Sequence, residues 1–153
     1  MRVLGAACST EAVNLAVAVN GEVVDGLPER LRPAHGVELG ERLLEFIEDV
    51  ARALAQVRPD RVALLLPEAH RRGTTSYQRV APRVTLETLL RVAAARERYP
   101  LSLVARPTVR AALGLPKKGA LDDHLGAAGT PVGRYWRDGR GLAALAALAE
   151  GTG

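Results

Sequence analysis

The sequence contains a single cysteine, Cys8, so it can form neither an intrachain disulfide nor a cysteine-rich zinc cage, and a reducing compartment, the cytoplasm, is the expected address. No stretch reaches the roughly 18 apolar residues of a membrane span. The start, Met1-Arg-Val-Leu-Gly5, lacks a basic segment followed by a long apolar one, so neither secretion nor membrane insertion is expected. Lysine is nearly missing: of 21 basic residues only Lys117 and Lys118 are lysines. Beside abundant alanine, glycine and leucine, that bias also fits GC-rich coding. There are no internal repeats and no glycine-rich phosphate loop.

What is present is enough for one domain over residues 1–150. The 153 residues are 48% hydrophobic and 25% charged, which supports a buried core and excludes a disordered chain. The net charge of +4 is unevenly spread. Residues 1–60 carry 6 arginines against 10 acids, whereas residues 61–153 carry 15 basic residues against 7 acids. A basic second part suits an anionic partner, because arginines that neutralise phosphates release counterions.

Local patterns predict an α/β order. Residues 2–8 form a short apolar strand, and residues 12–19 a second one. Asn20-Gly21 is a strong hairpin signal leading into a third strand at 22–25. Leu27 to Gly36 reads as a connecting loop. Leu39, Leu43, Ile47, Val50 and Leu54 recur at helical spacing from about Val37 to Gln56. Val62 to Leu66 is an unbroken apolar run, as expected of a strand covered on both faces. Residues 67–83 read as a loop, with Thr85 opening a helix to about Arg98. A fifth strand follows at 101–105, with short helices at 108–113 and 120–128 and a last helix at 142–150. The order β-β-β-α-β-α-β-α predicts a mixed five-stranded sheet with flanking helices, the ribonuclease H topology.

Four segments carry a resemblance over most of the chain. They are Met1 to Thr10, Arg58-Pro-Asp-Arg-Val-Ala-Leu-Leu65, Val104 to Gly114 and Asp138-Gly-Arg-Gly-Leu-Ala-Ala-Leu-Ala146. Together they resemble, in order and spacing, the RuvC branch of the ribonuclease H-like superfamily, the Holliday-junction resolvases. The resemblance implies a two-metal phosphodiesterase in which carboxylates hold Mg²⁺ ions. It also puts that activity in question. Ala7 stands where the family has its first-strand aspartate, and Leu65 falls at the central-strand glutamate, with Glu68 three residues on. Asp138 matches the first of two acids in the last helix, and Gly141 stands at the second.

Asp122, Asp123 and His124 are metal-capable replacements; Asp122 and Asp123 also suit the solvated start of a short helix. The positive signal lies in Ala69 to Arg83, where Arg71, Arg72, Arg79 and Arg83 occur without an acid, Thr74, Thr75 and Ser76 offer hydroxyls, and Tyr77 offers a stacking face. The competing reading is a solvated loop paired with Glu45 and Glu48. Lys117 and Lys118, with Arg134, Arg137 and Arg140, would extend the same surface. Trp136, the only tryptophan, reads as core, and His35 and His70 as solvated loop residues.

Three functions follow as expectations. The leading one is a RuvC-like domain that binds DNA or another structured nucleic acid and has a degraded metal site. The second is an active Mg²⁺-dependent endonuclease working through Glu68 and Asp138, helped by Asp122, Asp123 or His124. The third is a non-enzymatic interaction module, a homodimer through the alanine- and leucine-faced helices.

Overall fold

The computed structural model describes residues 1–25, 28–34, 40–68 and 76–152. The strands are β1 (Arg2–Cys8), β2 (Val13–Val19), β3 (Glu22–Val24), β4 (Arg30–Leu31), β5 (Arg61–Leu65) and β6 (Leu101–Val104). The helices are α1 (Gly40–Val57), α2 (Tyr77–Arg96), α3 (Arg106–Leu113) and α4 (Gly141–Gly151). A 3-10 segment, Leu121–Ala128, and a π-type turn, Trp136–Arg140, lie between α3 and α4.

The strands form one sheet in the order β3-β2-β1-β5-β6, with β4 added alongside β2. β1, β2 and β3 are antiparallel, whereas β5 and β6 run parallel to β1. This is the expected mixed sheet. The hairpin between β2 and β3 turns at Asn20 and Gly21, with φ of 52° and 84°, the two positive values that a tight hairpin turn needs.

Alternation along β1 divides the core. Leu4 and Ala6 face one side with Leu15, Val17, Val62 and Leu64, where Phe46, Val50 and Leu54 of α1 and Leu86 and Leu90 of α2 cover them. Val3 and Ala7 face the other side with Ala16, Ala18, Ala63 and Leu65, under α4. The expected stripe of Leu142, Leu145 and Leu148 understates α4, because every residue from Ala143 to Ala149 is buried. A helix apolar all round is an interior helix. It lies close to β1: a Cβ built on Gly5 would stand 1.9 Å from the Ala143 carbonyl oxygen.

Several boundaries differ from the sequence reading. β4 lies within what read as a connecting loop, a two-residue pairing of Arg30 and Leu31 with Asn14 and Val13 too short to leave a pattern. α1 starts at Gly40; the predicted start at Val37 lies outside the described residues. α2 starts at Tyr77 rather than Thr85, and Pro82 sits inside it. Proline in a helix interior loses one hydrogen bond, and burial of Leu86, Leu90, Ala93 and Ala94 offsets that loss. The predicted helix at 120–128 is a 3-10 segment with a kink at His124.

Candidate functional site

The register of the sheet builds the floor of a cleft. Ala7 pairs with Asn14 on one side and with Leu65 on the other, and Leu65 pairs with Val104. Asn14, Ala7, Leu65 and Val104 therefore form a row across four strands near the carboxyl ends of β1, β5 and β6. Loops beyond such ends are the usual ligand site of α/β sheets. Asn14 is the polar member of the row, and it is only 1% exposed. Its Nδ2 donates to the Ala7 carbonyl at 3.1 Å, and its Oδ1 accepts from Arg30 Nε at 2.8 Å.

Above this floor lies a cleft of about 460 Å³. β1 contributes Ala7 and Cys8, the segment after β5 contributes Glu68, and α2 contributes Arg83 and Glu87. α3 contributes Arg106, the 3-10 segment Asp122, and the π-type turn Arg137, Asp138 and Gly139. Gly139 has a φ of 122°, and a Cβ there would stand 2.3 Å from Asn14 Nδ2. Glycine at this point lets the turn lie directly on Asn14. Arg30 ties the same turn down, donating to the Asp138 carbonyl at 3.1 Å and lying 4.0 Å over the Tyr135 ring.

The charges in the cleft are paired rather than massed. Arg106, 18% exposed, donates through Nε to the Leu66 carbonyl at 3.1 Å, and its Nη1 lies 4.0 Å from Glu68. Burial pushes its guanidinium below the ordinary value, while Glu68 and Asp122 pull it up. Arg83 Nε lies 3.8 Å from Glu87 and, among the described residues, makes no hydrogen bond although it is buried. Burial pushes the Glu87 carboxyl up against the opposing pull of Arg83 and Arg91. Burial, then Glu87, pushes the Cys8 thiol far up, with Arg83 opposing, which disfavours the thiolate form.

Of the residues expected from sequence, Glu68, Asp138 and Asp122 meet in the cleft, and Arg83 joins them. Asp123 does not: its Oδ2 accepts from the Ala120 amide at 3.2 Å, a local helix-start contact. His124 Nε2 lies 3.3 Å from the Lys118 carbonyl. Tyr77 and Arg79 were expected on a loop and instead lie in the first turn of α2, where Tyr77 is 83% exposed. Arg83 is likewise helical, and its partner is Glu87 rather than an acid of α1. Arg71, Arg72, Thr74 and Thr75, with His70 and His35, lie outside the described residues. Lys117 and Lys118 are exposed in the turn that leads to the cleft at Ala120.

Arg140 is not a surface residue. It is 3% exposed and donates through Nε to the Leu15 carbonyl at 2.8 Å, and through Nη1 to the carbonyls of Arg134, at 2.9 Å, and Val132. Trp136 is core, as expected. Sequence reading missed Glu87 and Arg106 as site residues. Glu87 lies in the predicted helix from Thr85 and Arg106 in the segment Val104 to Gly114, and nothing in their spacing singles either out. The homodimer reading loses α4 as a surface, because that helix is consumed by its own core.

The residues present do not fit a pair of Mg²⁺ ions. Hard divalent cations at a two-metal site need several carboxylates converging without competing cations. Here Ala7 and Leu65 are neighbours in the floor row at the two strand positions where the resemblance calls for acids. Glu68 and Glu87 each face an arginine. Among the described residues no three His, Cys, Asp or Glu side chains come together as a metal-ligating group. No helix among them is long and apolar enough to cross a membrane.

Comparison with solved structures places this architecture. RuvC from Thermus thermophilus in complex with a Holliday junction substrate superposes with a TM-score of 0.73 at 19% identity, covering 99% of this chain and 93% of the other. Thermus thermophilus RuvC in a second structure gives 0.72 at 21% identity over 99% and 94%. Ydc2, the yeast mitochondrial Holliday junction resolvase, gives 0.57 at 14% identity over 98% and 77%. No protein-family model matches the chain, and the search of curated proteins gives no match. The chain has the ribonuclease H-like fold of RuvC type.

Proposed function

We propose that this RuvC-like chain binds structured nucleic acid, with branched DNA as the first candidate, and has lost ordinary two-metal cleavage. The observation that carries the proposal is the cleft itself. It lies at the carboxyl ends of β1 and β5, and arginines from three separate segments, Arg83, Arg106 and Arg137, reach it, while Ala7 replaces the first carboxylate. Arginine forks onto phosphate in geometries that a lysine cannot match. A RuvC neighbour of this fold is seen with a Holliday junction substrate, which supports a junction as the probe. In sequence, Arg71, Arg72 and Thr74 precede α2, whose first turn carries Tyr77 and Arg79. Lys117 and Lys118 are exposed just before Ala120, which lines the cleft. The lone Cys8 supports a cytoplasmic setting.

The test is a mobility shift with a four-way junction and a linear duplex at low salt, followed by incubation with Mg²⁺ and Mn²⁺. Junction binding that weakens steeply with salt, without cutting, is the expected result. Absence of binding below micromolar concentration refutes the proposal. Cutting that disappears in Glu68→Gln would replace the second half of it with an active, rearranged carboxylate site. Mass photometry in the same buffers reads whether two copies associate.

A further inference from the structure

We infer that Arg83, Arg106 and Arg137 take over the electrostatic work of divalent cations in this cleft, so that it seats a phosphodiester without any metal. This inference rests on the nucleic-acid reading above and gives that site its ligand chemistry.

A carboxylate-lined cleft repels phosphate unless cations stand between them, and that is one service a metal pair provides. In this chain four carboxylates, Glu68, Glu87, Asp122 and Asp138, line the cleft together with three guanidiniums. One of the guanidiniums, that of Arg106, is fixed by a hydrogen bond to the backbone. Arg106 is four-fifths buried and held by the Leu66 carbonyl, so its fork is oriented before any ligand arrives. Arg83 carries a buried Nε without a hydrogen-bond partner among the described residues, and its carboxylate neighbour Glu87 stands off at 3.8 Å. A buried donor left unsatisfied is costly, and a phosphate oxygen would satisfy it. Arg137, from the turn before α4, makes no side-chain hydrogen bond or ion pair among the described residues, and it reaches both this cleft and the adjoining one beside Trp136.

The balance of charge also supports this assignment. Glu87 is poorly solvated, and burial favours its neutral form. Three guanidiniums thus stand among four carboxylates, and burial disfavours the charge on one of those four, Glu87. Glu68 and Asp122 act on Arg106 from one side, and Arg83 and Arg110 act on it from the other. A metal ion entering here would have to displace arginines from both Glu68 and Glu87, whereas a phosphate would meet donors already in place.

Two measurements test this. First, water-proton relaxation with Mn²⁺ on the unmodified protein should show no association below millimolar concentration. The Arg83→Gln, Arg106→Gln double variant, checked for folding by circular dichroism, should gain Mn²⁺ binding because its carboxylates are released. Tight Mn²⁺ binding by the unmodified protein, or none by the folded double variant, overturns the inference whatever nucleic acid does. Second, junction affinity should be equal in EDTA and in Mg²⁺ at matched ionic strength, and Arg106→Gln or Arg137→Gln should each weaken it by about tenfold. Junction binding that ignores both arginines, or that needs Mg²⁺, overturns the inference and leaves the nucleic-acid reading standing. A junction that never binds overturns that reading, and the Mn²⁺ measurement then decides the metal half alone.

Discussion

The tightest surroundings of any glycine among the described residues give the sharpest prediction, Gly5→Ala. The added Cβ would stand 1.9 Å from the Ala143 carbonyl oxygen, 2.8 Å from its carbonyl carbon and 3.0 Å from the Ala147 Cβ. Ordinary C···O contacts begin near about 3.3 Å, so α4 would have to lift from β1 by about 1.4 Å. Neither partner can yield by rotating a side chain, since one is helix backbone and the other a strand in the middle of the sheet. Overpacking a core by one methyl costs about 1–3 kcal/mol, and a backbone clash belongs at the upper end. For a chain of this size about 3 kcal/mol corresponds to a fall of about 6–12 °C in Tm. Thermal circular dichroism and urea unfolding measure it, with Gly126→Ala as the control, because a Cβ at Gly126 meets nothing within 4 Å. The control should stay within about 0.5 kcal/mol of the parent. An unchanged Tm in Gly5→Ala would refute the seating of α4 on β1 and, with it, the placement of Asp138 and Arg137 over the floor row.

Other perturbations probe the site. Arg140→Gln strips donors from three carbonyls beneath the cleft and should cost about 2–3 kcal/mol in urea unfolding. Gly139→Ala combines a positive-φ penalty with a clash on Asn14, so it should weaken junction binding more than it lowers Tm, read by titration beside a melt. Glu87 has its native pKa raised, so the stability it provides in its protonated form is complete below the ordinary value of 4.5 and is lost as pH rises through the native value. Glu87→Gln should therefore raise Tm at pH 7, with the gain vanishing below pH 4.5. Cys8, half-buried with its thiol pushed far up, should alkylate slower by on the order of tenfold or more in the folded chain than in urea at pH 8.

The fold was legible where chemistry is local. Asn20-Gly21 marked the β2–β3 hairpin, the run at Val62 to Leu66 marked the central strand, and the 3.6-residue stripe through Val50 and Leu54 marked α1. The start of α2 was not legible, because Pro82 and the polar residues before it look like a loop and only tertiary burial of Leu86 and Leu90 overrides that. In the cleft, Ala7 and Leu65 were legible as strand residues, and only the resemblance marked them as positions where carboxylates would be expected. The charged lining around them was not legible. Glu87 and Arg106 reach the site from helices whose facing is set by packing against the sheet, and no spacing in the sequence reports which side of α2 meets β1. Arg83 shows the same limit from the other direction, since it looked like a loop arginine and is a helical one bound to a neighbour four residues on.

The contact between Gly5 and Ala143 joins nearly the first strand to nearly the last helix, and this has a consequence for how the molecule comes into being. A chain emerging from the ribosome can form the β1–β2 hairpin and lay α1 on one face of the sheet early. The opposite face, with Val3, Ala16, Ala18 and Ala63, stays bare until α4 is made. Contacts of such long sequence separation are slow to form. Arg137, Asp138 and Gly139 sit in the turn just ahead of α4, so the cleft closes only when the last helix docks. The cleft is thus incomplete until α4 docks, and a chain without that helix offers chaperones an alanine-lined sheet face beside an unfinished cleft.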